Sequence, residues 1–510
     1  MHYPMRAGHP GPPTITTGDL RTGRRCEFGL LVEADVRLGR RTAVPSAPDA
    51  VRQRFGEAGR AWENEVTERL THEYGAGVRD AHDLDRAATL RLLTDPSVQL
   101  VHQAPVADDR LTGRADHLIR GEDGAWIVAE TKLARSAHVP ALIQVASYAE
   151  ALASHGVPVA PFVRLYLGDG SVVDTPREDI AEDLAGVRTR VIDVLETHLA
   201  EDGPAVWGDP RWRACLRCDA CRAELTASGD VGVVAGVHAA TRPLLLTAGV
   251  RTVADLAQRT EPVEGLEPEE LAAMRSQARL QLIEPTPEQP LAYEAHSPAG
   301  LPAPSPGDVF FDFEGDPMWR DDAGDDAGDD AGLEYLFGCL TREDDGEHFT
   351  PFWAHDRAQE RQALIDFVDW VGERRRVWPD MHVYHYAAYE RTALSRLAAR
   401  HGIREDEVAA LLADGVLVDL YATVRASVRV GSPSYSIKSL EPLYMGDDLR
   451  DPGGVTAGGE SIIEYQRYRD AAAAGDTALA AACLDDLRQY NEYDCLSTLR
   501  LRDWLIEHAR

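Results

Sequence analysis

Two apolar stretches, residues 111–120 and 125–133, flank the turn-prone segment Gly121-Glu122-Asp123-Gly124, which predicts a pair of antiparallel strands. Side chains alternate between the faces of a strand, so Trp126, Val128, Glu130 and Lys132 share one face and Glu130 can converge with Lys132. The register of the pair decides where Asp116 points. A four-residue connection pairs Asp116 with Ala129 and turns it to the other face; a five-residue connection or a bulge sets it opposite Glu130, and this second arrangement is the one expected. Pro140 then opens a helix that Gly156 closes, with Gln144 and Tyr148 one turn apart on one side of it.

Composition singles out Lys132. The chain has 53 Lys plus Arg, yet only Lys132 and Lys438 are lysines, so a lysine two residues after a strand glutamate is not ordinary surface charge. Phosphodiester hydrolysis needs a divalent cation to neutralise the phosphoryl oxygens and to lower the pKa of a water. Carboxylates are natural ligands for Mg2+ or Mn2+, and a lysine can orient the water or stabilise the transition state. Asp116 and Glu130 are therefore candidate ligands, with Lys132 as their cationic partner. Upstream, Trp62, Val66 and Leu70 recur every four residues and predict a helix with a buried stripe; Glu63, beside the stripe, either meets solvent or enters the site. Downstream, a strand is expected near residues 162–167, and Thr175-Pro-Arg-Glu178 reads as a capping box opening a helix to about residue 199.

Gly113-Arg-Ala-Asp116, Glu130-Thr-Lys132 and Gln144-Val-Ala-Ser-Tyr148 resemble the signature of RecB-like PD-(D/E)xK nucleases. The resemblance implies an α/β, restriction-endonuclease-like domain over residues 1–230, with Asp116, Glu130 and Lys132 catalytic and Gln144 and Tyr148 supporting them. Glu63 matches the acidic position on that family's first helix. The lone Cys26, followed far downstream by Cys215, Cys218 and Cys221, resembles the iron-sulfur subfamily, in which four cysteines tie the ends of the nuclease domain around a 4Fe-4S cluster. Four thiolates also suit zinc, and unligated core thiols are a third reading. Cys339, Cys483 and Cys495 lie in apolar surroundings and are expected in cores.

Residues 231–290 read as short helices entered through turns at Gly249 and Gly265. They resemble a helix-hairpin-helix module, whose backbone amides contact phosphates; a plain helical module fits equally. Residues 291–306 form a proline-rich linker with Pro302, Pro304 and Pro306.

In residues 307–510, the strand around Asp312-Phe-Glu314 carries two carboxylates on one face amid aromatics, which is costly unless they are paired or hold a cation. Glu390 follows a further strand, and Tyr490 and Asp494 share one face of a helix over about residues 479–507. This ordered set resembles the DEDD exonucleases of the ribonuclease H-like fold, most nearly the YprB-type branch. By that resemblance Asp312, Glu314, Glu390 and Asp494 bind two metals and Tyr490 orients the attacking water. Glu390 stands where the general pattern has Asp. Asp419 is a secondary candidate, and Lys438 is a substrate contact or a surface residue.

The formal charge of -32 argues against a nucleic-acid partner, but a metal-dependent nuclease concentrates carboxylates, and the repeated Asp-Asp-Ala-Gly insert at 321–332 is expected to be a solvated loop. Arginines 21, 24, 25 and 37, 40, 41 either contact phosphates or occupy ordinary surface. No stretch approaches the roughly 18–20 apolar residues of a membrane span, and the N-terminus lacks a signal-peptide core, so a cytoplasmic location with no membrane partner is expected. The order of the domains is similar to RecB-family proteins whose longer members continue into a superfamily-one helicase. No G-x4-G-K-S/T loop occurs, so a helicase partner would be a separate chain. The reading is a metal-dependent nuclease acting on DNA, at single strands or ends, in repair, recombination or defence. The alternatives are a catalytically degenerate scaffold for a helicase complex and an RNA-processing exonuclease.

Overall fold

The computed structural model describes residues 13–43, 50–296, 300–320, 332–450 and 458–508, so the insert at 321–332 lies outside the described residues except for Gly332. The described chain forms two compact units, one of residues 13–230 with 238–246 and the other of residues 231–237 with 247–508.

The first unit is built on a seven-stranded mixed sheet. Val78–Asp80, Leu100–Ala107, Leu111–Arg120, Trp126–Lys132, Val159–Leu167 and Val172–Pro176 lie side by side, and Ile15–Thr16 adds to Leu111–Arg120. Arg120 pairs with Trp126 and His117 with Ala129, so the connection is five residues long and Asp116 comes level with Glu130, as expected. Alternation divides the strand side chains between two cores. Trp62, Val66 and Leu70 of the helix Ala50–Tyr74 pack on Leu100, Ile119, Ala129 and Tyr166. Side chains of this kind stabilise by about 1.5–3 kcal/mol each when buried. The helix Val139–Ser154 contributes Ile143, Tyr148 and Ala149 to the core that holds Leu118, Val128 and Leu165.

One local expectation is corrected. The helix Glu178–Leu199 forms, but Arg177 is its N-cap and makes no side-chain capping bond. Thr175 is instead in a strand opposite Val163, because the alternation of Val172–Pro176 lets it complete the edge of the sheet.

The second unit holds a five-stranded sheet in the order Gly346–Trp353, Leu333–Glu343, Val309–Asp316, Val383–His385, Leu417–Asp419. The first three strands are antiparallel and the last two join in parallel. Phe311 and Phe313 face a core shared with Phe367 of the helix Arg357–Val377 and Leu394 of the helix Tyr389–His401. Phe310 faces the other way, into a core with Cys495 and Leu499 of the helix Thr477–His508. Asp312 and Glu314 follow Phe310 at the period of two and so are directed to the layer of that C-terminal helix. The helix comes very close at Gly338, where an added Cβ would lie 1.5 Å from the Asn491 Oδ1 atom.

The segment between the expected nuclease domains also differs from expectation. Residues 247–290 do not stand apart: Gln277, in the helix Pro268–Gln281, donates to the Val430 carbonyl at 2.6 Å and accepts from the Tyr435 hydroxyl at 3.0 Å. Residues 291–306, expected as linker, contain the strand Tyr293–Ala295, antiparallel to Val428–Val430. The prolines that suggested an extended linker flank this short ladder and do not interrupt it. Among the described residues no helix is long and apolar enough to cross a membrane.

Candidate functional site

Strand Val309–Asp316 and helix Thr477–His508 bring Asp312, Glu314 and Asp494 together, with one carboxylate oxygen from each lying within 4.8 Å of the others. Glu314 accepts from Ser461 Oγ at 2.6 Å, Asp312 from Asn491 Nδ2 at 2.8 Å, and Asp494 from Arg450. Burial pushes the Asp312 carboxyl well up, and the charges of Asp494, Glu314 and Glu390 push it further. Burial and then Asp494 raise Glu314 from 4.5 to about 8. Burial likewise raises Asp494, against the pull of Arg450. Three crowded carboxylates of this kind are a hard-oxygen donor set that fits Mg2+ or Mn2+.

A pH dependence follows from the direction of these shifts. Between 4.5 and about 8 the unfolded chain has released the Glu314 proton while the folded chain keeps it. The contribution of Glu314 to metal-free stability is therefore complete below 4.5 and is lost as the pH rises toward 8. Glu130, also raised to about 8, acts in the same sense. A cation must displace these protons, so the increase in melting temperature caused by Mg2+ should grow from pH 5 to pH 8; equal increases at both would contradict this assignment.

Glu390 is not in the three-oxygen set. It is buried in the first turn of Tyr389–His401, with its carboxylate 3.3 Å from His385 Nδ1. Asp419 does not join the set either, since it caps the helix Leu420–Ser427 and accepts from the Tyr421 amide at 2.8 Å. It also accepts from the amide of Ala387 at 2.9 Å, and so holds that residue at φ +76° just before the Glu390 helix. Lys438 is no incidental surface residue: Nζ donates to the Tyr490 hydroxyl at 3.2 Å. Sequence reasoning passed over Arg450, Ser461 and Asn491. Only Asn491 carried a signal, being the amide beside Tyr490 on the helix already singled out.

In the first unit, Glu130 is 1% exposed and accepts from Lys132 Nζ at 2.7 Å and Gln144 Nε2 at 3.0 Å. Burial raises its carboxyl to about 8, helped by the Asp116 charge. Burial alone would lower the Lys132 ammonium, but Glu130 and Asp116 outweigh it and the net shift is upward. Asp116 accepts from both the amide and the hydroxyl of Thr131 at 2.9 Å, and its own amide donates to Glu130 at 3.3 Å. Tyr148 lies with its hydroxyl 3.0 Å from Thr17 Oγ1. Gly113 makes room for that ring, since a Cβ there would meet it at 2.4 Å. Glu63 is half-buried and accepts from Gln103, and its carboxyl is raised by burial and then by the charge of Asp116. Among the described residues Asp116, Glu130 and Glu63 do not close into a three-oxygen set like that of the second unit.

The four cysteines meet, with Sγ atoms all within 4.8 Å of one another. Separations are 3.5 Å for Cys26 to Cys221, 3.8 Å for Cys218 to Cys26 and 4.0 Å for Cys215 to Cys221. A tetrahedral ion with metal–sulfur bonds of about 2.3 Å has sulfur–sulfur edges of about 3.8 Å. The spacing therefore fits one tetrahedral ion such as zinc, whereas a 4Fe-4S cube interposed among the thiols needs them wider apart. Backbone amides of Gly29, Cys215 and Cys218 point at the sulfurs at 3.2–3.4 Å, as suits thiolates. Cys339, Cys483 and Cys495 are buried, as expected.

Of the arginines considered for phosphate contact, Arg37 pairs with Asp19 at 2.6 Å, Arg41 with Glu224 at 2.7 Å, and Arg40 donates to the Gly203 carbonyl at 3.2 Å. These three brace the fold, while Arg21, Arg24 and Arg25 are exposed.

Neither curated proteins nor solved structures gave a match to the chain. Residues 309–506 match the family model described as RNase_H superfamily, which supports an RNase H-like domain there and implies metal-dependent, nuclease-type chemistry on a nucleic acid.

Proposed function

We propose that the protein is a metal-dependent nuclease that hydrolyses phosphodiester bonds of DNA at single strands or ends. It has a RecB-like PD-(D/E)xK centre at Asp116, Glu130 and Lys132 and a 3′–5′ exonuclease centre at Asp312, Glu314 and Asp494. The observation that carries this reading is the mutual approach within 4.8 Å of the last three carboxylates, two from the phenylalanine-rich strand Val309–Asp316 and one from the helix Thr477–His508. Divalent cations held there would neutralise charge on the phosphoryl group and activate the attacking water. Tyr490, with Lys438 on its hydroxyl, fixes a polar group beside the carboxylates that can orient that water. In the other centre Gln144 and Lys132 fix the Glu130 carboxylate, and Lys132 offers positive charge to the developing phosphorane. Cys26, Cys215, Cys218 and Cys221 would hold a structural metal; their spacing supports zinc, and the resemblance to the iron-sulfur subfamily supports a cluster. Metal analysis with an absorption spectrum after anaerobic purification separates the two.

The test is cleavage of labelled single- and double-stranded DNA and of RNA in Mg2+ or Mn2+. Lys132→Ala should remove the activity of the first centre with the fold intact, Asp494→Ala that of the second, and the double variant should be inert. Undiminished cleavage by the double variant sinks the enzymatic reading. RNA as the preferred substrate is the second reading, since an RNase H-like domain is compatible with either nucleic acid.

A further inference from the structure

Arg450 stands where the carboxylate centre of the second unit needs a cation. It donates to Asp494, and it grips Glu441 through Nε at 3.0 and 3.1 Å and through Nη2 at 2.7 Å. Its guanidinium lies 5.6 Å from the Tyr490 ring centre and 4.5 Å from that of Tyr493, with only 12% of the side chain exposed. Nη1 is buried and, among the described residues, has no hydrogen-bond partner. Nη1 is thus a donor that neither Asp494 nor Glu441 uses.

The charges do not balance around it. One guanidinium serves two carboxylates, Asp494 and Glu441, and Asp494 is also one of the three that converge. A divalent cation on Asp494 and a guanidinium on the same carboxylate repel each other, so each weakens the other's hold on it. Glu441 would keep Arg450 tethered when it leaves Asp494. The released N–H groups, with the already unpaired Nη1, form a planar fork that matches two phosphate oxygens.

We propose that Arg450 is the resident counter-cation of Asp494: it competes with the divalent cation for that carboxylate and, once displaced, contacts a nonbridging phosphate oxygen of the bound strand. This rests on the reading of Asp312, Glu314 and Asp494 as a cation site.

The experiment is a Mn2+ titration of the full chain by calorimetry, without nucleic acid, together with strand binding in Ca2+ measured by anisotropy. The strand is labelled single-stranded DNA or RNA, whichever the wild type binds more tightly. Arg450→Gln combined with Glu441→Gln avoids stranding a buried Glu441. It should bind Mn2+ about tenfold more tightly than Glu441→Gln alone, the reference that isolates the Arg450 charge, since an adjacent charge shifts such equilibria by at least about one pKa unit. It should also bind the strand severalfold more weakly, with a salt slope smaller by about one. Arg450→Lys, which keeps the charge but not the fork, should leave the Mn2+ affinity near wild type and still weaken the strand. Circular dichroism melts confirm that each variant is folded. Mn2+ binding by the double variant that is unchanged or weaker against Glu441→Gln alone overturns the competition, and unchanged strand affinity and salt slope overturn the phosphate contact. A wild-type titration that Asp312→Asn does not alter overturns the cation site itself, an outcome distinct from both.

Discussion

Asp312→Asn should abolish cleavage by the second unit and at the same time raise the melting temperature of the metal-free protein. The two effects have one cause. Asp312 is held against Asp494 and Glu314, and burial with their charges drives its carboxyl far above the usual range. Asparagine has the same shape and keeps an acceptor for Asn491 Nδ2, now 2.8 Å from the carboxylate, while one of the mutually repelling charges is gone. Relief of this kind is worth about 1–2 kcal/mol, comparable to other single stabilising substitutions. The same charge is what would draw a cation, so cleavage should fall at least about a hundredfold. Assays on labelled strands in a Lys132→Ala background isolate the second centre, and melts in chelator read the stability. A variant that melts lower while still cleaving contradicts the assignment on both counts.

Cys26→Ser is expected to release the metal of the thiol centre and to unfold the first unit at markedly lower temperature. Cys26 lies 189 residues before Cys215, whose amide donates to its sulfur, and it caps the helix Glu27–Arg37 through Gly29. The centre therefore fastens the start of the unit to its end. Structural zinc in small peptides contributes about 10–16 kcal/mol to folding, and a large protein with its own core should lose a few kcal/mol of that. The serine oxygen is a poorer ligand for a thiolate-preferring ion and is too short to restore the geometry. Metal content by plasma emission should drop from one site per chain to none, with an earlier melting step. Full metal occupancy and an unchanged melt would mean that the four thiols are only packed together.

The strand pair around Glu130 was legible because three independent signals agreed: alternation, a glycine-bounded turn and a rare lysine. Its register was legible too, since a five-residue turn is what carries Asp116 level with Glu130. What could not be read was which distant segment supplies the partners of a site. Arg450 and Ser461 come from stretches without periodicity, and nothing along the chain says that they close over Asp494 and Glu314. Glu390, grouped with the other acids by chain order, is set by the backbone at Ala387, at φ +76°, into the first helical turn beside His385, from where its charge still acts on Asp312. The acidity of the whole chain said little about either centre, because arginines such as Arg37 and Arg41 are taken up by internal pairs.

The short ladder between Tyr293–Ala295 and Val428–Val430 decides where this chain can be divided. A fragment beginning at residue 307 holds the whole stretch that matches the RNase_H superfamily, residues 309–506. It would nevertheless leave one edge of Val428–Val430 bare and strip the Tyr293 ring from Trp504, which it meets edge-on at 5.0 Å. Bare strand edges and uncovered aromatics invite association between copies. The portable block is therefore longer than the family match, and it begins upstream of the helix Pro268–Gln281, whose Gln277 ties down the same strand.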